Sequence, residues 1–118
     1  MAFPSRVQGA GTSGGATTAI CGDVAANLTA TGSSATDALQ LSAVVSRVGT
    51  TAASTGVKLP AAEPGAMMLV RNAGANTLTV YPPTGSTVDG GASVSVATTK
   101  ATLFFGTSTT TWVTLAGA

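Results

Sequence analysis

Four carboxylates, eleven serines and a single cysteine are the side chains from which hydrolytic or metal chemistry could start, because the sequence contains no histidine. Without an imidazole, a serine nucleophile needs lysine or a carboxylate as its base, and eleven serines among so many small residues match any such template by chance. The acids Asp23, Asp37, Glu63 and Asp89 fall in four separate segments, and no two share a local motif for acid–base work or metal ligation. Asp37 follows a Ser/Thr stretch as a cap would, and Asp89 precedes Gly90-Gly91 as a turn residue would. Cys21 has no second cysteine for a disulfide and no histidine for a zinc site, so it reads as a small apolar residue. The chain is therefore expected to be no enzyme and to hold neither metal nor cofactor.

Motifs add little. Gly9-Ala10-Gly11-Thr12-Ser13-Gly14 has dinucleotide-loop spacing, but that loop works only between a buried strand and a helix N-terminus, and a proline-containing terminus precedes it here. Neither Lys58 nor Lys100 follows a glycine, which rules out a phosphate loop. Asn27-Leu28-Thr29 has the form of a glycosylation acceptor but lacks a secretory signal before it. Arg6, Arg47, Lys58, Arg71 and Lys100 are scattered, and a net charge of +1 gives no field to attract nucleic acid or anionic lipid. No nucleic-acid or membrane partner is expected, and the chain is expected to be made in a cytoplasm. Trp112, the one tryptophan, reads as a core anchor on a Val/Leu strand.

The elements that position these residues must be built from small side chains. Ala, Thr, Gly and Ser make up over half of the 118 residues, and only 8% of the chain is charged. Residues 1–23 hold five glycines and almost no alternation, which predicts an extended docking arm with Phe3, Val7 and Ile20 as its apolar anchors. Residues 24–118 then form a single β-rich domain, in which short Val/Thr segments alternate with Gly, Pro and Asn. Strands are predicted over 26–31, 44–52, 56–59, 66–72, 77–81, 86–88, 92–97, 100–105 and 111–116, while 36–45 fits either a helical turn or a strand.

Their spacing predicts an all-β fold, an antiparallel β-sandwich or barrel-like body with an extended N-terminal arm. Two hairpins are expected. The first joins Met67–Arg71 to Thr77–Tyr81 through Asn72–Asn76, and the second joins Thr102–Phe105 to Trp112–Leu115. Leu69, Leu78, Val80, Phe104 and Trp112 are the expected hairpin and core residues. A core this sparse gains from burial between subunits, and strands with outward threonines lack the charges that discourage sheet contacts, so the Thr faces are expected to pack an oligomer.

Several of these residues, taken in order, form a recognisable series. Leu59-Pro60-Ala61-Ala62, Pro64-Gly65, an apolar strand ending in Arg71-Asn72, Gly74-Ala75-Asn76, Leu78-Thr79-Val80-Tyr81-Pro82, Thr87-Val88-Asp89-Gly90 and Thr111-Trp112-Val113 resemble a β-rich module of tailed-bacteriophage virion proteins. The likeness covers roughly residues 57–115, and Asn27–Gly32, Ala38-Leu39 and Val48–Thr51 extend it to about residue 25. The sequence departs from the module at Thr107–Thr111, where an Asp-Gly turn is usual, and at Met67-Met68, which replace a Val/Ile pair. The resemblance implies a homotrimeric capsid decoration (cement) protein on the virion surface. Its partners would be the major capsid protein and copies of itself. The alternative is a tail-fibre or receptor-recognition module, with the loops Pro82–Gly85 and Gly106–Thr111 meeting a host glycan.

Overall fold

The computed structural model describes residues 4–9, 11, 13, 14, 16 and 22–116. Within them a short helix, α1 (Pro4–Gly9), precedes ten strands: β1 (Val24–Thr29), β2 (Leu39–Gln40), β3 (Val45–Thr50), β4 (Gly56–Lys58), β5 (Met67–Asn72), β6 (Leu78–Tyr81), β7 (Thr87–Val88), β8 (Val94–Val96), β9 (Ala101–Gly106) and β10 (Thr111–Ala116). Residues 4–9 are helical where the sequence predicts extended chain. Pro4 starts the helix with its φ already fixed, and Gly11, at φ +95°, closes it by donating its N–H to the Gln8 carbonyl at 2.9 Å.

The fold is all-β, but the expected antiparallel sandwich or barrel is corrected to a β-solenoid. Strands β1, β3, β5, β9, β10 and β7 form, in that order, a six-stranded sheet, and β2, β4, β6 and β8 form a four-stranded one. From β1 to β9 the chain changes sheet at every step. Successive turns therefore stack in parallel, with β1 on β3 and β3 on β5 in the larger sheet and β2 on β4 and β4 on β6 in the smaller. Val24 aligns with Val45 and Val45 with Leu69, so the turns are 21 and 24 residues long. The coil then reverses, with β9 antiparallel to β5 and β8 antiparallel to β6, while β7 closes the far edge parallel to β10.

The first expected hairpin does not form, because β5 and β6 lie in different sheets. The Asn72–Asn76 segment is a corner of the coil. Asn72 is fully buried, and its Oδ1 accepts from Thr51 Oγ1 and the Gly74 N–H, both at 3.0 Å. Its Nδ2 donates to the carbonyls of Asn76 (2.7 Å) and Val96 (2.9 Å), tying the end of β5 to the other sheet. Asn76 Nδ2 adds a bond to the Thr51 carbonyl at 2.9 Å. Gly74 is required by close approach, since a Cβ there would lie 2.5 Å from the Thr51 backbone nitrogen. The second hairpin forms as expected, with Trp112 opposite Gly106 and Leu115 opposite Leu103.

The core lies between the sheets. Val48, Met68, Val70, Val88, Phe104 and Trp112 enter it from the six-stranded sheet, and Val57, Leu78, Val80 and Val96 from the four-stranded one. Leu78, Val80, Phe104 and Trp112 are thus buried, whereas Leu69, expected beside them, faces outward because Met68 and Val70 hold the inward positions of β5. The segment 36–45 resolves into a turn followed by β2.

Candidate functional site

Three of the four acids, the aspartates, hold the chain. Asp23 Oδ1 accepts the Val44 N–H at 2.9 Å where β3 begins. Asp37 Oδ1 accepts from the backbone N–H groups of Ser33 (3.1 Å) and Ser34 (3.0 Å) and from the Ser34 hydroxyl (3.1 Å). The Ser34 bonds, backbone first, hold the Asp37 carboxyl below its ordinary 3.8. Asp89, at φ +51°, takes the Thr114 N–H at 3.0 Å on Oδ1 and the Thr114 hydroxyl on Oδ2, extending the contact between β7 and β10. Every buried side-chain nitrogen or oxygen among the described residues has a partner, and no three metal-ligating side chains among them cluster. The Gly9–Gly14 pattern follows α1, where a dinucleotide loop needs a strand.

A cleft of about 260 Å³ opens beside Trp112, lined by Ala43, Pro60, Glu63, Met67 and Met68 among others. Its tryptophan is already committed, because Trp112 Nε1 donates to the Pro60 carbonyl at 3.1 Å. Among the described residues that line it, Glu63 is the one ionisable group. A lone carboxylate beside apolar walls offers contact but no proton relay.

The two outer faces of the coil are unlike. On the four-stranded sheet the outward positions carry Gln40, Lys58, Thr79, Tyr81 and Ser95, an ordinary wetted face. Outward positions on the six-stranded sheet carry Val24, Val45, Leu69, Leu103 and Leu115, which the strand register aligns in one row across β1, β3, β5, β9 and β10. A second row, Met67, Phe105 and Val113, runs beside it. At the ends of these rows Val24 is 67% exposed, Leu115 61% and Met67 42%. Monomeric proteins rarely leave a contiguous apolar face of this kind uncovered.

Charge frames the rows. Arg47 and Arg71 lie side by side, two residues further along β3 and β5 than Val45 and Leu69, with Ala101 next in register and Lys100 just before it. Arg47 lies along the sheet, its Nη1 donating to the Ala26 carbonyl at 3.2 Å. At the opposite strand ends stand Asp23, just before β1, and Glu63, whose carbonyl accepts from Ala66 in the turn leading into β5.

Of the residues predicted to act in docking, Phe3 and Ile20 lie outside the described residues and Val7 falls within α1. The sequence reading missed the outer rows, apart from Leu69, which it assigned to the core. Apolar residues at consecutive positions mark a strand covered on both faces, and Met67-Met68-Leu69-Val70, Leu103-Phe104-Phe105 and Trp112-Val113 are such runs. Among the threonines of this sheet, Thr102 and Thr114 share the inward side with Phe104 and Trp112, while Thr111 and Thr87 lie outward at its margin. Comparison with protein-family models, curated proteins and solved structures gives no match.

Proposed function

We propose that the protein is a non-enzymatic capsid decoration protein of a tailed bacteriophage, attaching to the outer surface of the head and reinforcing contacts between capsomers. The observation that carries this reading is the apolar outer face of the six-stranded sheet, set on a body whose aspartates hold backbone N–H groups. Such a molecule is built to adhere. The resemblance of residues 57–115 to virion β-modules supports this setting.

In this reading Phe3, Val7 and Ile20 seat the N-terminal segment on the major capsid protein. Burying Phe3 is worth about 2 kcal/mol, so Phe3→Asp weakens attachment by about 30-fold or more. The test is co-sedimentation of the purified chain with expanded heads, together with gold labelling of intact virions. Saturable binding and label on the head support the reading. Label on the tail would replace it with the tail-fibre reading, and absence of binding to heads would remove it.

A further inference from the structure

We infer that Arg47 and Arg71 are an anion-binding pair on the outer face of the six-stranded sheet, taking a side-chain carboxylate of the protein surface that this face covers. This rests on the decoration reading and names the chemistry its partner must present.

Left alone, the pair costs the fold something. Val45 with Leu69 and Arg47 with Arg71 are consecutive outward register pairs of β3 and β5, and both arginines are exposed. They stand on neighbouring strands about 4.8 Å apart, where like charges repel. The chain's own carboxylates are engaged elsewhere. Asp23 holds the Val44 N–H, Asp37 the Ser33 and Ser34 N–H groups and Asp89 the Thr114 N–H, while Glu63 lines the cleft beside Trp112. Arg47 is also held in position. Its Nη1 donates to the Ala26 carbonyl at 3.2 Å and passes over Gly49, where a Cβ would sit 3.4 Å from the same nitrogen. A guanidinium carries five N–H donors in a rigid plane, so one carbonyl leaves the rest for a carboxylate, and a head fixed in advance loses less entropy on binding.

The neighbours of the pair say what carries the carboxylate. Two residues back along the same strands, about 6.6 Å away, Val45 and Leu69 stand in the apolar row with Val24 and Leu103. A small inorganic anion would use the arginines and leave this row wet. A protein surface with an acidic side chain set among apolar ones covers both. Once the row is covered, the pair discriminates between partners, because an apolar patch without the carboxylate would strand two guanidinium groups away from water.

The test is co-sedimentation of the full-length chain with expanded heads over a range of NaCl concentrations. Arg47→Glu and Arg71→Glu each weaken attachment at least about tenfold at low salt, with an unchanged circular dichroism spectrum confirming the fold. Attachment of the wild type falls as salt rises. Lys58→Glu makes the same change of charge on the outer face of the other sheet and leaves attachment as it was. Melted as the free chain, Arg71→Gln keeps or raises the wild-type midpoint, because it removes a repulsion. A lower midpoint would assign the pair to the fold and overturn the inference. Attachment indifferent to both arginine variants, or weakened as much by Lys58→Glu, also overturns it and leaves the decoration reading standing. Micromolar binding of inorganic phosphate to the free chain, abolished by Arg47→Glu, would put a phosphate in place of the protein carboxylate and overturn it as well. Heads that take up no wild-type chain remove both readings together.

Discussion

A buried amide stabilises a fold only while its hydrogen bonds are all made, and Asn72 makes four, to Thr51, Gly74, Asn76 and Val96. Asn72→Leu keeps the branched shape in a larger side chain and removes all four bonds, at a cost of about 3 kcal/mol or more. Thermal unfolding followed by circular dichroism should show the midpoint fall by about 12–20 °C. Asp37 gives the corner before β2 a pH dependence of definite sign. Its folded carboxyl is held below 3.8 by the Ser34 and Ser33 bonds, so the stabilisation is complete above 3.8 and is lost as pH falls through the lowered folded value. Asp37→Asn is therefore less stable than the wild type at neutral pH, and the gap between the two melting midpoints closes as the solution is taken toward about pH 2.

At the level of elements, neighbouring phenylalanines on β9 separate the two surfaces of the sheet. Phe104 points into the core and is fully buried, while Phe105 points outward into the row with Met67 and Val113. Phe104→Ala should lower the unfolding free energy by about 3–5 kcal/mol. Phe105→Ala, on the half-exposed outer side, should lower it by about 1 kcal/mol or less. Chemical denaturation of the two variants distinguishes them. The strands themselves were legible: β5, β6, β9 and β10 fall within a residue of the boundaries that Val/Thr runs and Gly/Pro breaks predict. Their partners were not, because parallel and antiparallel strands share a period of two and differ only in where the chain goes next. Asn72–Asn76 has the composition of a hairpin turn and serves as a corner between sheets, since its asparagine side chains bond backward to Thr51, one turn earlier. The trace of the coil that the sequence does carry is the 24-residue spacing of Arg47 and Arg71, adjacent in the folded sheet.

Across the whole molecule, the decoration reading divides the work between the segment before β1 and the body. Removing residues 1–20 should leave the thermal melt of the body unchanged and weaken co-sedimentation with expanded heads, and undiminished attachment would remove that segment from the reading.

The stacking of β1 on β3 on β5 leaves the length of the protein open to change in whole units. A further circuit of roughly the observed 21 to 24 residues, spliced in ahead of β3, would find a strand to pair with above and below in each sheet. The molecule would grow by one strand width, about 4.8 Å, and its sticky side would widen in step. Adhesive strength could thus be graded by duplication, with the folding instructions of the remaining circuits untouched.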